Sequence, residues 1–381
     1  MRIRAYLFFT LLVFFASFVQ AEVEWHAKVD CGSLFPSFII STATFNLEKM
    51  KRPEYYFGDL NGQVGCTVIS PQDDCPFTLE ISSSKFIRKS SIEGHLPKAG
   101  ETYKIYPKLD YDYDALYSVI EPIPETISVT LTLAGNEVGT QKQTVEVRSI
   151  QDCLFALKQD SGKISPYEFE FAAYVNENNP LIDKILKRAL DLKLVNSFDG
   201  YQGGPADVYE QAFAVWNVLQ RQGIKYSNIT TPSVDSEKVF AQHVRSLEDS
   251  VANTQANCVD GSVLFASVFR KIGLKTLLVI IPGHCFMFAV QDEAAKKIIV
   301  IETTRIGSVD LKQLSLERAV NSLNSGRKNN LSRTSFEQAI QVGAREFQEA
   351  APKIKSHTPG YYLIDIDKCR SLGIQPLKSK T

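Results

Sequence analysis

Up to about residue 150 the apolar positions come in short runs broken by polar turns; beyond it they come at helical spacing. "FIISTATF", "GQVGCTVI", "CPFTLEIS", "TYKIYPKL" and "ISVTLTLA" are rich in β-branched and aromatic residues. "SPQDDCP", "LPKAGE" and "LAGNEVG" separate them with Pro, Gly and acidic or amide residues, as turns separate strands. "ETISVTLTLAGNEVGTQKQTVEVRSI" predicts two strands around a Gly135–Asn136 turn. Short strands at this spacing predict an all-β, immunoglobulin-like sandwich over residues 22–150.

From about residue 152 the period changes. After Asn179-Pro180, Ile182, Leu186, Leu190 and Leu194 recur at steps of four, with Leu181 and Ile185 alongside, which predicts a helix. Val208, Phe213, Val215, Trp216 and Leu219 predict a second helix, stopped by Gly223. Val259, Val263, Leu264, Val268, Phe269 and Ile272 predict a third, with Asn257 as N-cap and Gly273 as stop. Three strands follow, "LKTLLVII", "CFMFAVQ" and "KIIVIET". The pattern predicts an α+β domain over residues 152–381, with Trp216 and Tyr226 in its core.

Composition bounds the function. The chain has 381 residues, 44% of them apolar and 22% charged, enough for two globular cores. A formal net charge of −1 argues against nucleic acid as partner. Residues 1–21 read as a signal peptide: Arg2 and Arg4, an apolar run from Ala5 to Val19, and a small residue, Ala21, at the cleavage site. The run falls short of the roughly 20 residues that span a bilayer, and no later stretch is long and apolar enough. The expected location is therefore outside the cytoplasm, periplasmic or secreted, with no membrane span after cleavage. In such a compartment cysteines pair. Cys66 with Cys75, and Cys31 with Cys153, are candidate disulfides. Seven cysteines leave at least one free.

Cys258 falls in the first turn of the third helix, where unpaired N–H groups favour a negative charge and hence a reactive thiolate. His284, one of only five histidines, opens a strand. Glu302 ends the next one. If the two strands form a hairpin across "DEAAK", His284 stands opposite or diagonal to Glu302, and a carboxylate there orients an imidazole. Each residue alone has a plainer reading: a small buried hydrophobe, a packing histidine, a solvated charge. Their order is what points to thiol chemistry. There is no zinc-ligand spacing, no phosphate-binding loop and no dinucleotide motif. Neither metal nor cofactor is expected.

This order resembles the transglutaminase-like cysteine peptidases, a subset of the papain-like fold. The match rests on Cys258 at a helix start, "RKIGL" at 270–274, His284 at a strand start and "ETT" at 302–304, with "YEQAFAVWNVLQRQGIKYSNI" upstream. It covers about residues 152–375. It implies a transglutaminase-like domain and a Cys258–His284–Glu302 triad acting on a protein or peptide. Hydrolysis is favoured over amine transfer, because nothing describes an amine site. The Cys258 backbone N–H is a candidate oxyanion donor and Gln255 another. The chain departs from the family in Glu302 for Asp, Phe286 for Trp and Ala256 for Gly. The alternative is an inactive relative that keeps the fold as a binding or structural protein of the cell envelope.

Overall fold

The computed structural model describes residues 23–45, 53–159, 162–227, 236–309 and 321–378. The leader-like segment 1–21 lies outside them. Two sheets build the first part of the chain. One runs Trp25–Val29, Val64–Ile69, Thr102–Tyr106, Tyr56–Gly58; the other runs Ser33–Leu34, Asn136–Val147, Ile123–Leu133, Cys75–Ser83, Ser90–Leu96. Alternation selects what each sheet buries. Phe77, Leu79 and Ile81 point inward with Ile127, Val129 and Leu131, and join Val64, Val68 and Ile105 of the other sheet in one core. The hairpin Ile123–Leu133/Asn136–Val147 turns at Ala134–Gly135, one residue earlier than the sequence suggests. Both turn residues have positive φ, 49° and 79°, the backbone that a two-residue hairpin of right-handed twist requires.

The expected disulfides are absent: all seven cysteines are free thiols. Cys66 and Cys75 lie on strands of different sheets. Cys153 belongs to the main core, whereas Cys31 packs against a separate cluster around Phe35, Phe38 and Leu154. Burial pushes the Cys31 and Cys66 thiols up to about 12, so both stay protonated.

The two parts of the chain interlock. The short helix Pro36–Ser41 leaves the β region and packs on strand Asp152–Lys158. Phe35 and Phe38 close over Leu154 and Val239. The C-terminal segment returns the contact: Gln375 N–H donates to the Ser41 carbonyl and Leu377 N–H to the Ala173 carbonyl. The principal buried cluster runs without a break from Trp25 to Leu377.

The site-bearing part centres on an antiparallel sheet of Lys297–Ile301, His284–Asp292, Thr276–Ile281 and Tyr362–Asp365. Its two faces serve different helices. Cys285, Met287 and Ala289 join the core that contains helix Cys258–Lys271. Phe286, Phe288, Leu277 and Val300 form a second cluster with Phe347 and Ile354 of the long helix Asn321–Lys355. That helix was not foreseen, although Phe336, Ile340, Gly343, Phe347, Ala350 and Ile354 stand at helical steps.

Candidate active site

Asn257 starts the thiol helix. Its side chain accepts from the Val259 and Asp260 N–H groups, and Asp260 returns a bond to the Asn257 N–H, a complete capping box. Asp260 is fully buried and anchored by Arg245 at 2.6 Å. The cap leaves the Cys258 N–H out of these bonds, so it is available at the helix start beside its own thiol. At the other end the helix stops as expected, with Gly273 at φ 80°.

His284 is placed by a two-residue turn. Ile281 pairs with His284 across Pro282–Gly283, and Gly283 takes φ 76°. The next hairpin pairs Met287 with Ile301 and Phe288 with Val300. Carrying that register two residues on sets Glu302 opposite Phe286, and His284, two residues before Phe286 on the same face, is its diagonal neighbour. His284 Nε2 is 2.7 Å from Glu302 Oε2. The other carboxylate oxygen, Oε1, accepts from the Thr304 N–H at 3.0 Å and from the Thr304 hydroxyl. This division of labour explains "ETT": the threonine fixes one oxygen and leaves the other for the imidazole. Glu302 is 1% exposed.

The thiol comes from the other layer. It stands close enough to the His284 ring at the end of the sheet to act on its protonation. Gly261 brings the layers together: a Cβ there would stand 2.8 Å from Thr303 Oγ1. Ser262, one turn after Cys258, donates to the Cys258 carbonyl at 2.7 Å.

Three residues expected from sequence therefore converge: Cys258, His284 and Glu302. Gln255 does not join them; it is exposed on the short strand Gln255–Ala256. Phe286 stands two positions after the histidine, fully buried, its ring centroid 5.9 Å from that of His284. Trp216 is a core residue, with its indole N–H on Ser335 Oγ at 3.0 Å. Tyr226 is not. It is 40% exposed, and it pairs with Ala256, two residues from the thiol. Burial, then the Cys258 and Glu302 charges, raise its phenol above the usual range. A pairing between two-residue strands leaves no periodic signal, so the sequence could not place it.

Electrostatics bind the group. Burial alone would lower His284, but its bonds to Cys258 and Glu302 outweigh that and raise it to about 10. Burial alone would raise Glu302, but bonds with His284, Glu346 and Thr304 hold it at about 2. Glu346, from the long helix, went unnoticed in the sequence. Its Oε2 lies 3.5 Å from His284 Nε2. Ligand-type atoms of His284, Glu302 and Glu346 all fall within 4.8 Å of one another. Within this group the contact that the geometry shows is the 2.7 Å bond of His284 Nε2 to Glu302 Oε2.

No family model matches the chain, and no curated protein matches it. Among solved structures it is similar to a candidate cysteine protease from Cytophaga hutchinsonii, at 12% identity and TM-score 0.22, over 63% of this chain and 74% of that one. No helix among the described residues is long and apolar enough to cross a membrane.

Proposed function

We propose that this protein is an exported, transglutaminase-like thiol hydrolase that cleaves an amide or peptide bond through Cys258, His284 and Glu302. The observation that carries the reading is the His284 ring, held at 2.7 Å by a buried carboxylate and standing beside the thiol at a helix start. With its proton resting on His284, Cys258 Sγ attacks the carbonyl carbon. The oxyanion forms beside the Cys258 N–H, where the helix start favours negative charge. His284 then gives its proton to the departing amine, and a thioester remains. Water attacks that thioester while His284 takes a water proton, releasing a carboxylic acid and the free thiol. Glu302 keeps the imidazole in place throughout and stays ionised. The signal-like leader supports export, and the β region with its interlocked helix serves as a scaffold for the site.

Cys258→Ala tests the reading. Wild-type protein is expected to be captured covalently by iodoacetamide at Cys258, mapped by mass, and the variant is expected to lose that adduct while keeping its fold. If the wild-type thiol reacts no faster than a free cysteine, the domain is a binding module rather than an enzyme.

A further inference from the structure

The long helix brings a second carboxyl group to the imidazole, and its placement is built rather than incidental. Ala339, Gly343 and Glu346 lie along one stripe of the helix, against the strand end that holds Glu302. The Glu302 N–H donates to the Ala339 carbonyl at 3.3 Å. A Cβ on Gly343 would stand 3.1 Å from Glu302 N and from the Val300 carbonyl oxygen, closer than side chains ordinarily approach. Glycine there lets the helix lie directly on the strand. One turn further, the Glu346 carboxyl comes within 4.8 Å of Glu302, and its Oε2 is buried with no hydrogen-bond partner, 3.5 Å from His284 Nε2.

Two carboxyl groups in contact must share a proton, because both cannot ionise cheaply side by side. Glu302 already accepts from His284 and Thr304, so it is the anion and Glu346 holds the proton. The charged groups acting on Glu346 are Glu302 and His284 across the helix–sheet contact and Arg345 beside it on the helix. Burial first, then the Glu302 bond and charge, raise it to about 7, while His284 and Arg345 oppose the rise.

We infer that Glu346 is a positioning residue for His284: as an acid it donates to Glu302, and on ionising it sets a second negative charge beside the imidazole and favours the imidazolium that accompanies the Cys258 thiolate. The proton lost goes to solvent, and no bond to carbon or sulfur changes. The inference rests on the Cys258–His284 reading, and it adds a neutral-pH control that the triad alone lacks.

The test uses the full chain, with iodoacetamide as probe and the His284 ring carbon followed by NMR. In wild type the rate of Cys258 capture is expected to step up through neutral pH, by about three- to tenfold, beyond what ionisation of a lone thiol produces. Glu346→Gln keeps a hydrogen-bond donor for Glu302 but cannot ionise. It is expected to remove the step and to lower the pH at which His284 loses its proton by on the order of one unit. If Gln does not fold, Glu346→Asp withdraws the charge by one methylene and should shrink both effects. An unchanged capture profile and an unchanged His284 titration in either folded variant overturn the inference while leaving the triad standing. The triad fails separately: His284→Ala would then leave capture unaffected.

Discussion

Among the described residues histidines pair with carboxylates at three places, His95–Asp74 at the surface, His243–Asp152 and His284–Glu302, and the last two set a structural pair against a candidate site. At the candidate site His284 meets Glu302 at 2.7 Å, with Cys258 near enough to act on the ring. At the junction of the two parts of the chain, His243 meets Asp152 at 3.2 Å, and Cys153 follows directly in sequence. The residue types are nearly the same. The geometry is not. Asp152 and His243 are paired across neighbouring strands and share a face, whereas Cys153 pairs with Gln242 and alternation sends it to the opposite face, into the core. Burial raises the Cys153 thiol well above its ordinary value. Asp152 spends its other oxygen on Arg148 at 3.2 Å and its carbonyl on the Ser37 hydroxyl at 2.6 Å. The junction is a structural clasp. Adjacency in sequence brings a thiol to an acid–base pair less reliably than a helix end arriving from another layer.

The largest effect expected from this contrast is kinetic. His284→Ala should slow iodoacetamide capture of Cys258 near neutral pH by on the order of a hundredfold, and His243→Ala should leave it within about twofold, since that ring serves no nucleophile. Equal effects from the two variants, read from pseudo-first-order rates, would erase the distinction between site and clasp.

Next in size is a stability effect confined to the clasp. Burial raises the Glu170 carboxyl well above its ordinary value. The Ser37 hydroxyl lies 2.6 Å from both the Asp152 carbonyl oxygen and Glu170 Oε1, and serves two buried acceptors. Ser37→Ala strands both buried groups and should cost about 1–3 kcal/mol in denaturant unfolding, with no change in thiol capture. A neutral Ser37→Ala would mean that the interlocked helix contributes through Phe35 and Phe38 alone.

The smallest effect is the pH dependence of stability at the site. Glu302 is depressed from 4.5 to about 2, so its contribution is complete above 4.5 and is lost as pH falls through about 2. His284 is raised from 6.5 to about 10, so its contribution is complete below 6.5 and is lost as pH rises through about 10. Glu346 is raised from 4.5 to about 7; it helps fully below 4.5 and stops helping as pH climbs through about 7. The stability difference between wild type and Glu302→Gln should therefore be greatest between pH 4.5 and 6.5 and shrink on both sides. A difference in melting temperature that stays flat with pH would show that no ion pair forms.

What could be read from the sequence was local. Asn257 ahead of Cys258, Gly273 after the helix, and the matched strands around "DEAAK" are short-range features whose meaning depends on backbone preference and periodicity. They made Cys258, His284 and Glu302 candidates, and the order of the three along the chain, with a hairpin register that relates His284 to Glu302 by simple counting, singled them out. The contacts that had to be found in three dimensions span long separations. Glu346 reaches Glu302 only because a 35-residue helix lies across the sheet on Gly343. Tyr226 flanks the thiol only through a parallel pairing of two-residue strands. Cys66 and Cys75, nine residues apart, belong to different sheets and stay unbridged. Backbone preference and periodicity act over a few residues and are written into the chain directly; which layer covers which face is decided by packing of the whole core, and no single stretch of sequence carries it.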